Sequence, residues 1–458
     1  MIDFDFIQIS SISDYAKLGE LLYSTLPHSN HKHLVKELER RIGIQAKLLV
    51  IEFPYRDFDF SSVYSIFYSK KHQSVSKECI RVHLFSKNEL EEKYYIGNIV
   101  VRDSVIDSRG KAIFEPKYLS QVSKGFIVKS ENKAHLMGKT FKIDSFLWMS
   151  QDTDISVCAH VSIWSINNYF ANKYSSYKLQ SIGAISEIVP LHMGRKTPSN
   201  GLNLLQISDM FSKLGFYPLV LRKDSQNPKD FFRAVYSYIE SGIPMVGAMT
   251  QIGHAVAIIG HGEISQTGIE NSSDTIINIA DHLQELIISD DNELPFTTIT
   301  RCKNKYTFDD LDYVIVPLYE KMYTNANIVY ERVKTLMESD VLKLDAQTIV
   351  RVYLTSARSL KREALENKKM NDILKSTILK LHTPQFVWCA DLCTKDEYKD
   401  EKTSSRIIID ATSGTYENEP WLLMHDSEKI LYKDDYDVYS IAESIANYDM
   451  YKNNLKEI

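Results

Sequence analysis

The sequence predicts an α+β protein, and three observations carry that prediction. Hydrophobic residues make up 44% of the chain and charged residues 25%, the composition of a globular protein and not of a disordered or fibrous one. Helix-spaced apolar stripes and strand-sized apolar runs are segregated, with one helix opening on a cysteine and a set of strands following later. The length of 458 residues suggests about three domains, at roughly 150 residues each.

The first 45 residues read as helical, with Leu34, Leu38 and Ile42 spaced i, i+4, i+8 behind a cap at Ser29 or Asn30. The segments AKLLVIEF, SSVYSIFYS, IRVHLF and YYIGNIVV read as strands, and 103–142 as turns and short extended pieces. Together they predict an N-terminal α+β accessory domain over residues 1–143. From Phe146 the texture changes. Ala159, Ile163, Ile166 and Phe170 fall on one helical stripe, a mixed helical region runs to about Gly242, and PMVGAM, HAVAIIGH and ELIIS read as strands. This middle unit spans 144–322. From Tyr323 to Leu381 the chain reads as helical and charged, FVWCADLC and RIIID read as strands, and the last 30 residues read as ending in helix. Residues 323–458 thus form a mixed α/β extension packing on the middle unit.

The 54 basic and 60 acidic residues leave a net charge of −6, which gives no global electrostatic reason to bind nucleic acid. No run approaches the 18 or so apolar residues of a membrane span, and the N-terminus carries acids where a signal peptide needs a basic region. The expectation is a cytoplasmic protein with neither nucleic acid nor membrane as partner. Five cysteines (Cys79, Cys158, Cys302, Cys389 and Cys393) are an odd, sparse set that fits a reducing compartment better than a disulfide framework.

A cysteine nucleophile needs a stabilised thiolate, an oriented base and donors for an oxyanion. Cys158 sits where the extended QDTDISV gives way to the amphipathic helix, and a helix N-terminus favours a thiolate. A free cysteine is more often a buried small hydrophobe, so position alone does not make it reactive. His254 follows Gly253 at the mouth of HAVAIIG, where it can face a cleft. His261 lies seven residues on, an odd number that sends it to the opposite face of an unbroken strand. His160 is about 200° around the helix from Cys158 and points away from the thiol. His254 is therefore the best base. Gln151, seven residues before Cys158, can offer an amide to an oxyanion beside the Cys158 backbone N–H. A third group is sought after ELIIS, where Asp290, Asp291 and Asn292 follow; such a trio is by itself what a solvated turn looks like. Asp290 keeps the orientation of the strand ladder, so it is preferred to Asp291.

The order Gln, Cys-helix, Gly-His-strand, Asp, in QDTDISVCAHVSIW, GIPMVGAMTQIGHAVAIIGH and ELIISDDNELPF, resembles papain-like cysteine peptidases, and its compactness is closest to the bacterial C39-like branch. The resemblance covers about 146–320. It implies a papain-like core, a nucleophile helix packed on an antiparallel sheet, with Cys158 as nucleophile, His254 as base, Gln151 as oxyanion donor and Asp290 or Asp291 as third member. It further implies a thiol hydrolase acting on a peptide or isopeptide bond of a protein or peptide substrate, with no cofactor. The same residues serve an acyltransferase or deamidase, and a catalytically silent peptide-binding module would keep the same cleft. Ala159 follows the cysteine where many family members have glycine.

Other signals are weaker. Cys389 and Cys393 could join His382 or His425 on zinc, but four residues along a strand, at ~3.3 Å each, hold the two backbones about 13 Å apart, too far for one ion. No metal site is expected. His28, His31 and His33 read as a solvated face near a helix start, and Asp410 as turn chemistry.

Overall fold

The computed structural model describes residues 2–458 except 73, 105, 120, 122–123, 153, 190–198, 200, 303, 415–416, 418–419, 435–436 and 453–454. The chain is mixed α/β, with three larger sheets stacked along one continuous hydrophobic core and a second cluster beneath the third sheet. The first sheet is an antiparallel meander of Asp3–Gln8, Leu48–Tyr55, Cys79–Phe85, Tyr95–Val101 and Arg109–Phe114. Two helices, Tyr15–Thr25 and Lys32–Arg41, bury Leu18, Leu22, Leu34 and Leu38 in the core that this sheet shares.

The central sheet holds His254 and leads into Asp290. Its order runs Tyr306–Thr307, Thr297–Thr300, Glu285–Ser289, His254–Gly262, Met245–Met249, Tyr313–Leu318 and Tyr217–Arg222, antiparallel except for the short first pair. The helix Cys158–Lys173 packs across the His254–Gly262 strand, burying Ile163, Trp164, Ile166 and Phe170. A continuously apolar strand such as Met245–Met249, buried at every position, is what coverage of both faces produces. The third sheet contains Thr348–Ser356, Phe386–Cys393, Ser405–Asp410, Trp421–His425, Lys429–Lys433 and Val438–Ala442. The helix Pro228–Glu240 packs on both His254–Gly262 and Thr348–Ser356, joining the central and third sheets.

Strands cross the boundaries drawn at 143 and 322. Gly125–Val128 pairs with His254–Gly262 in the central sheet, and Leu455–Glu457 pairs with Gly125–Val128. Ile276–Asn278 leaves the middle of the chain to pair in parallel with Thr348–Ser356.

Several elements differ from the sequence reading. Residues 3–8 form an edge strand ahead of the first helix, because pairing with Leu48–Tyr55 supplies what the short, largely exposed segment lacks alone. The second helix begins at Lys32, with His31 and not Ser29 or Asn30 at its cap position. The first six residues of SSVYSIFYS belong to the helix Phe58–Ile66 and the rest to the turn that follows it; the N-cap Asp57 accepts from the Phe60 N–H, and a side-chain cap outweighs the β-branched and aromatic texture. Tyr217–Arg222 and Thr348–Ser356 are strands inside stretches read as helical, and both gain their ladder from distant partners. The last 30 residues contain strands and no helix among the described residues. No helix among the described residues is long and apolar enough to cross a membrane.

Candidate functional site

The helix of Cys158 starts at the cysteine itself, after Val157 in extended conformation. His160 Nδ1 accepts the Val157 N–H at 3.3 Å, so this histidine caps its own helix; burial holds its pKa down at about 4. Cys158 is only partly buried. The run that delivers it is anchored from the N-terminal part of the chain. Trp148 bridges Ala112, Arg102 bonds the Ser150 hydroxyl at 2.9 Å, and the Tyr68 hydroxyl donates to Asp152 at 2.7 Å.

His254 opens its strand three residues before Ala257, which pairs with Ser289 as Ile258 does with Ile288. Continuing that register places Asp290 on the His254 face, and its Oδ1 lies 3.0 Å from His254 Nε2. The Cys158 thiol lies close enough to the imidazole to help hold its proton. Tyr306 stacks on the imidazole at 5.8 Å between ring centroids. Asp290 is fully engaged. Oδ1 also accepts the Asn292 N–H, while Oδ2 accepts from Lys305 Nζ and the Tyr306 hydroxyl, each at 3.0 Å. Trp148 Nε1 donates to the Asp290 carbonyl at 2.6 Å, tying the segment before the nucleophile to the acid.

The electrostatics follow from these contacts. Burial works against a charged His254, but its bonds to Asp290 and Cys158 win and raise its pKa to about 10. Burial likewise opposes the Asp290 carboxylate, yet His254, the Asn292 N–H and Lys305 hold it well below the usual carboxylate range. Asp291 is the opposite case. Its Oδ1 lies 3.8 Å from His254 Nε2, and both its oxygens are buried without a hydrogen-bond partner among the described residues. Burial, with Asp290 beside it, pushes its pKa up to about 7 against the pull of His254. The two neighbouring acids are thus shifted in opposite directions, Asp290 held toward its ionised form and Asp291 pushed toward its neutral one.

Gln151 Nε2 donates to Asn292 Oδ1 at 3.4 Å, and the Asn292 amide nitrogen lies 3.4 Å from His254 Nε2. The structure therefore brings Cys158, His254, Asp290, Asp291 and Gln151 around one point, with Asn292 as the link. Asn292 belongs to the trio read from the sequence, but its linking role does not; Trp148, Lys305 and Tyr306 are additions that no local sequence pattern marks.

His261 differs from expectation in its reason more than in its outcome. The strand shifts register between Ile258 and Gly260, so strict alternation fails, and His261 pairs with Leu286 on the same parity as Ile288 and Asp290. What removes it from the site is its partner: it is buried, with Nε2 2.9 Å from Glu240 and Nδ1 2.7 Å from the Gly262 carbonyl.

The donor atoms of His254, Asp290 and Asp291 lie within 4.8 Å of one another and could in principle hold a metal ion. Lys305 already places a cation on Asp290, and Nε2 is bonded to the same carboxylate, so the cluster is built to handle a proton. Cys389 and Cys393 join no such cluster among the described residues; both are buried in Phe386–Cys393, and burial pushes the Cys389 thiol up to about 12. Asp410 accepts from the Thr412 N–H and hydroxyl within its turn. His28 lies 3.6 Å from Asp103 and His33 3.6 Å from Glu37, whereas His31 is buried. Comparisons of the chain with protein-family models, with curated proteins and with solved structures found no match.

Proposed function

We propose that the Cys158 helix and the central sheet form a papain-like core, and that the protein is a thiol hydrolase cleaving a peptide or isopeptide bond. The observation that supports this reading is the His254–Asp290 pair at 3.0 Å, with the Cys158 thiol beside the imidazole at the N-terminus of its helix. His254 takes the Cys158 proton, and the thiolate adds to the amide carbonyl carbon. The resulting oxyanion accepts from the Cys158 N–H and the Gln151 amide. His254 returns the proton to the nitrogen as the C–N bond breaks, leaving an acyl-thioester. Water then attacks that carbonyl, gives its proton to His254, and the C–S bond breaks to restore the thiol. Asp290 holds the imidazole oriented throughout and stabilises its charged form.

The test compares lysate proteomes incubated with the wild-type chain and with Cys158→Ala. New peptide termini or released isopeptide partners that appear with the wild type alone support the reading. Identical proteomes, together with no preferential labelling of Cys158 by low-dose iodoacetamide, would show a binding module instead.

A further inference from the structure

Two cavities adjoin the candidate site and share Arg40, Glu293 and Lys305 in their walls, so they form one groove of about 360 and 210 Å³ in its two parts. It begins at Asn292, the residue that links Gln151 to His254, and runs between the helix Lys32–Arg41 and the strand Thr297–Thr300. Ligand pockets are usually walled mainly by apolar side chains. Here no aliphatic side chain lines either part among the described residues; apart from charged groups the walls are amides, hydroxyls and an imidazole.

The charges do not cancel. Glu37 is consumed: its carboxylate is bonded to Arg109 and to the Leu294 N–H, and its side chain is only 4% exposed. Glu293 is matched by Lys305 at 2.9 Å. Lys36 makes no ion pair among the described residues, and Arg40 reaches its two carboxylates only at 3.9 Å with its side chain 61% exposed. Two exposed cations one helical turn apart thus border the groove, Lys36 without an ion pair among the described residues and Arg40 with only long ones. Further along, Thr297 is 6% exposed, and its buried hydroxyl has no hydrogen-bond partner among the described residues. A buried hydroxyl left so is costly, and a ligand amide that reached it would relieve the cost.

We infer that this groove is a substrate subsite for an acidic peptide segment: Lys36 and Arg40 take its carboxylates while Thr297 and the neighbouring amides take its backbone. The inference rests on the proposed amide hydrolysis and names the class of substrate that the N-terminal helix selects. Net positive walls in a confined groove concentrate an anionic ligand before any chemistry occurs.

The test titrates the full chain with coumarin-labelled tetraglutamyl amide, tetraseryl amide and tetralysyl amide, read by anisotropy, so that it needs no turnover. The tetraglutamyl probe is expected to bind at least about tenfold more tightly than either control, with affinity falling as salt rises. Lys36→Gln/Arg40→Gln, with an unchanged thermal midpoint, removes that preference. A preference below tenfold, a preference that survives the double variant, or equal binding of a four-nucleotide oligothymidylate would overturn the inference. Selective Cys158 labelling by iodoacetamide, measured separately on the wild type, tells a failed groove from a failed thiol hydrolase.

Discussion

Two histidines stand on the same strand, His254 at its mouth and His261 seven residues further in, and each is bonded to a carboxylate at about the same distance, 3.0 and 2.9 Å. Around His261 the partners are all structural. Glu240 is also held by Arg351 at 2.5 Å; Arg351 reaches Asp391, and Asp391 holds Arg406, whose side chain is fully buried. Burial would push Glu240 up, yet Arg351 and His261 keep it down at about 2. Such a network fastens the Pro228–Glu240 helix to the third sheet. Around His254 the same pairing ends differently: a partly exposed thiol lies beside the imidazole, and Asn292 next to it lines a groove. A carboxylate–histidine pair is therefore no sign of catalysis by itself. The nucleophile and the access make the difference.

The largest effect should separate these two histidines. His254→Ala is expected to lower kcat/KM on an identified amide substrate by about 10⁴-fold or more, and to lower the thermal midpoint near neutral pH as well, because Asp290 loses its imidazolium partner and keeps only Lys305, Tyr306 and the Asn292 N–H. His261→Ala should keep activity within about threefold but lose about 1–3 kcal/mol, since it strips two buried hydrogen bonds. Loss of activity in His261→Ala at an unchanged midpoint would erase the contrast.

Next come the two acids. Asp290→Ala should reduce kcat/KM by about 10²–10⁴-fold, the range expected when an imidazole loses its orienting carboxylate, whereas Asp291→Ala should stay within about tenfold. The reverse ranking would mean that Asp291 swings toward Nε2 in the working state, across the 3.8 Å that separates them here.

How much of this was legible in the sequence depends on whether the deciding contacts are local. Met245–Met249, His254–Gly262, Glu285–Ser289 and Phe386–Cys393 announce themselves as compact apolar runs, and the Cys158 helix as a stripe. The parity that groups Asp290 with Ile288 is equally local, because no bulge intervenes on Glu285–Ser289. The bulge before Gly260 could not be read, since it depends on which strands lie on either side. The same holds for the edge strand at residues 3–8 and for the terminal Leu455–Glu457, each too short to declare itself without its partner. In the site, Trp148, Lys305 and Tyr306 reach Asp290 across long stretches of chain, and Arg109 reaches the Asn292 carbonyl from the first sheet. Their roles exist only in three dimensions.

The smallest effect, and the sharpest on the proton inventory, concerns Asp291. Its pKa is raised from 3.8 to about 7, so the folded chain binds a proton there that the unfolded chain has released. Stability then falls as pH rises from about 4 to 7, because the native state binds more protons than the unfolded state across that window. His254 gives the same sign in a separate window. Its pKa is raised from 6.5 to about 10, so its contribution is complete below 6.5 and is lost as pH climbs through 10. The charged groups acting on Asp291 are His254, Asp290 and, more weakly, Arg109. An asparagine copies the neutral carboxyl, so Asp291→Asn should match the wild type at pH 4 and exceed its stability at pH 8 by on the order of 2–4 kcal/mol. Urea unfolding at pH 4, 6 and 8 measures the difference directly, and the wild-type slope between pH 4 and 7 should flatten in the variant. If Asp291→Asn is instead less stable at pH 8, the carboxyl is ionised there and supports the imidazolium. The site would then be a histidine between two carboxylates, and the contrast between its two acids would have to be abandoned.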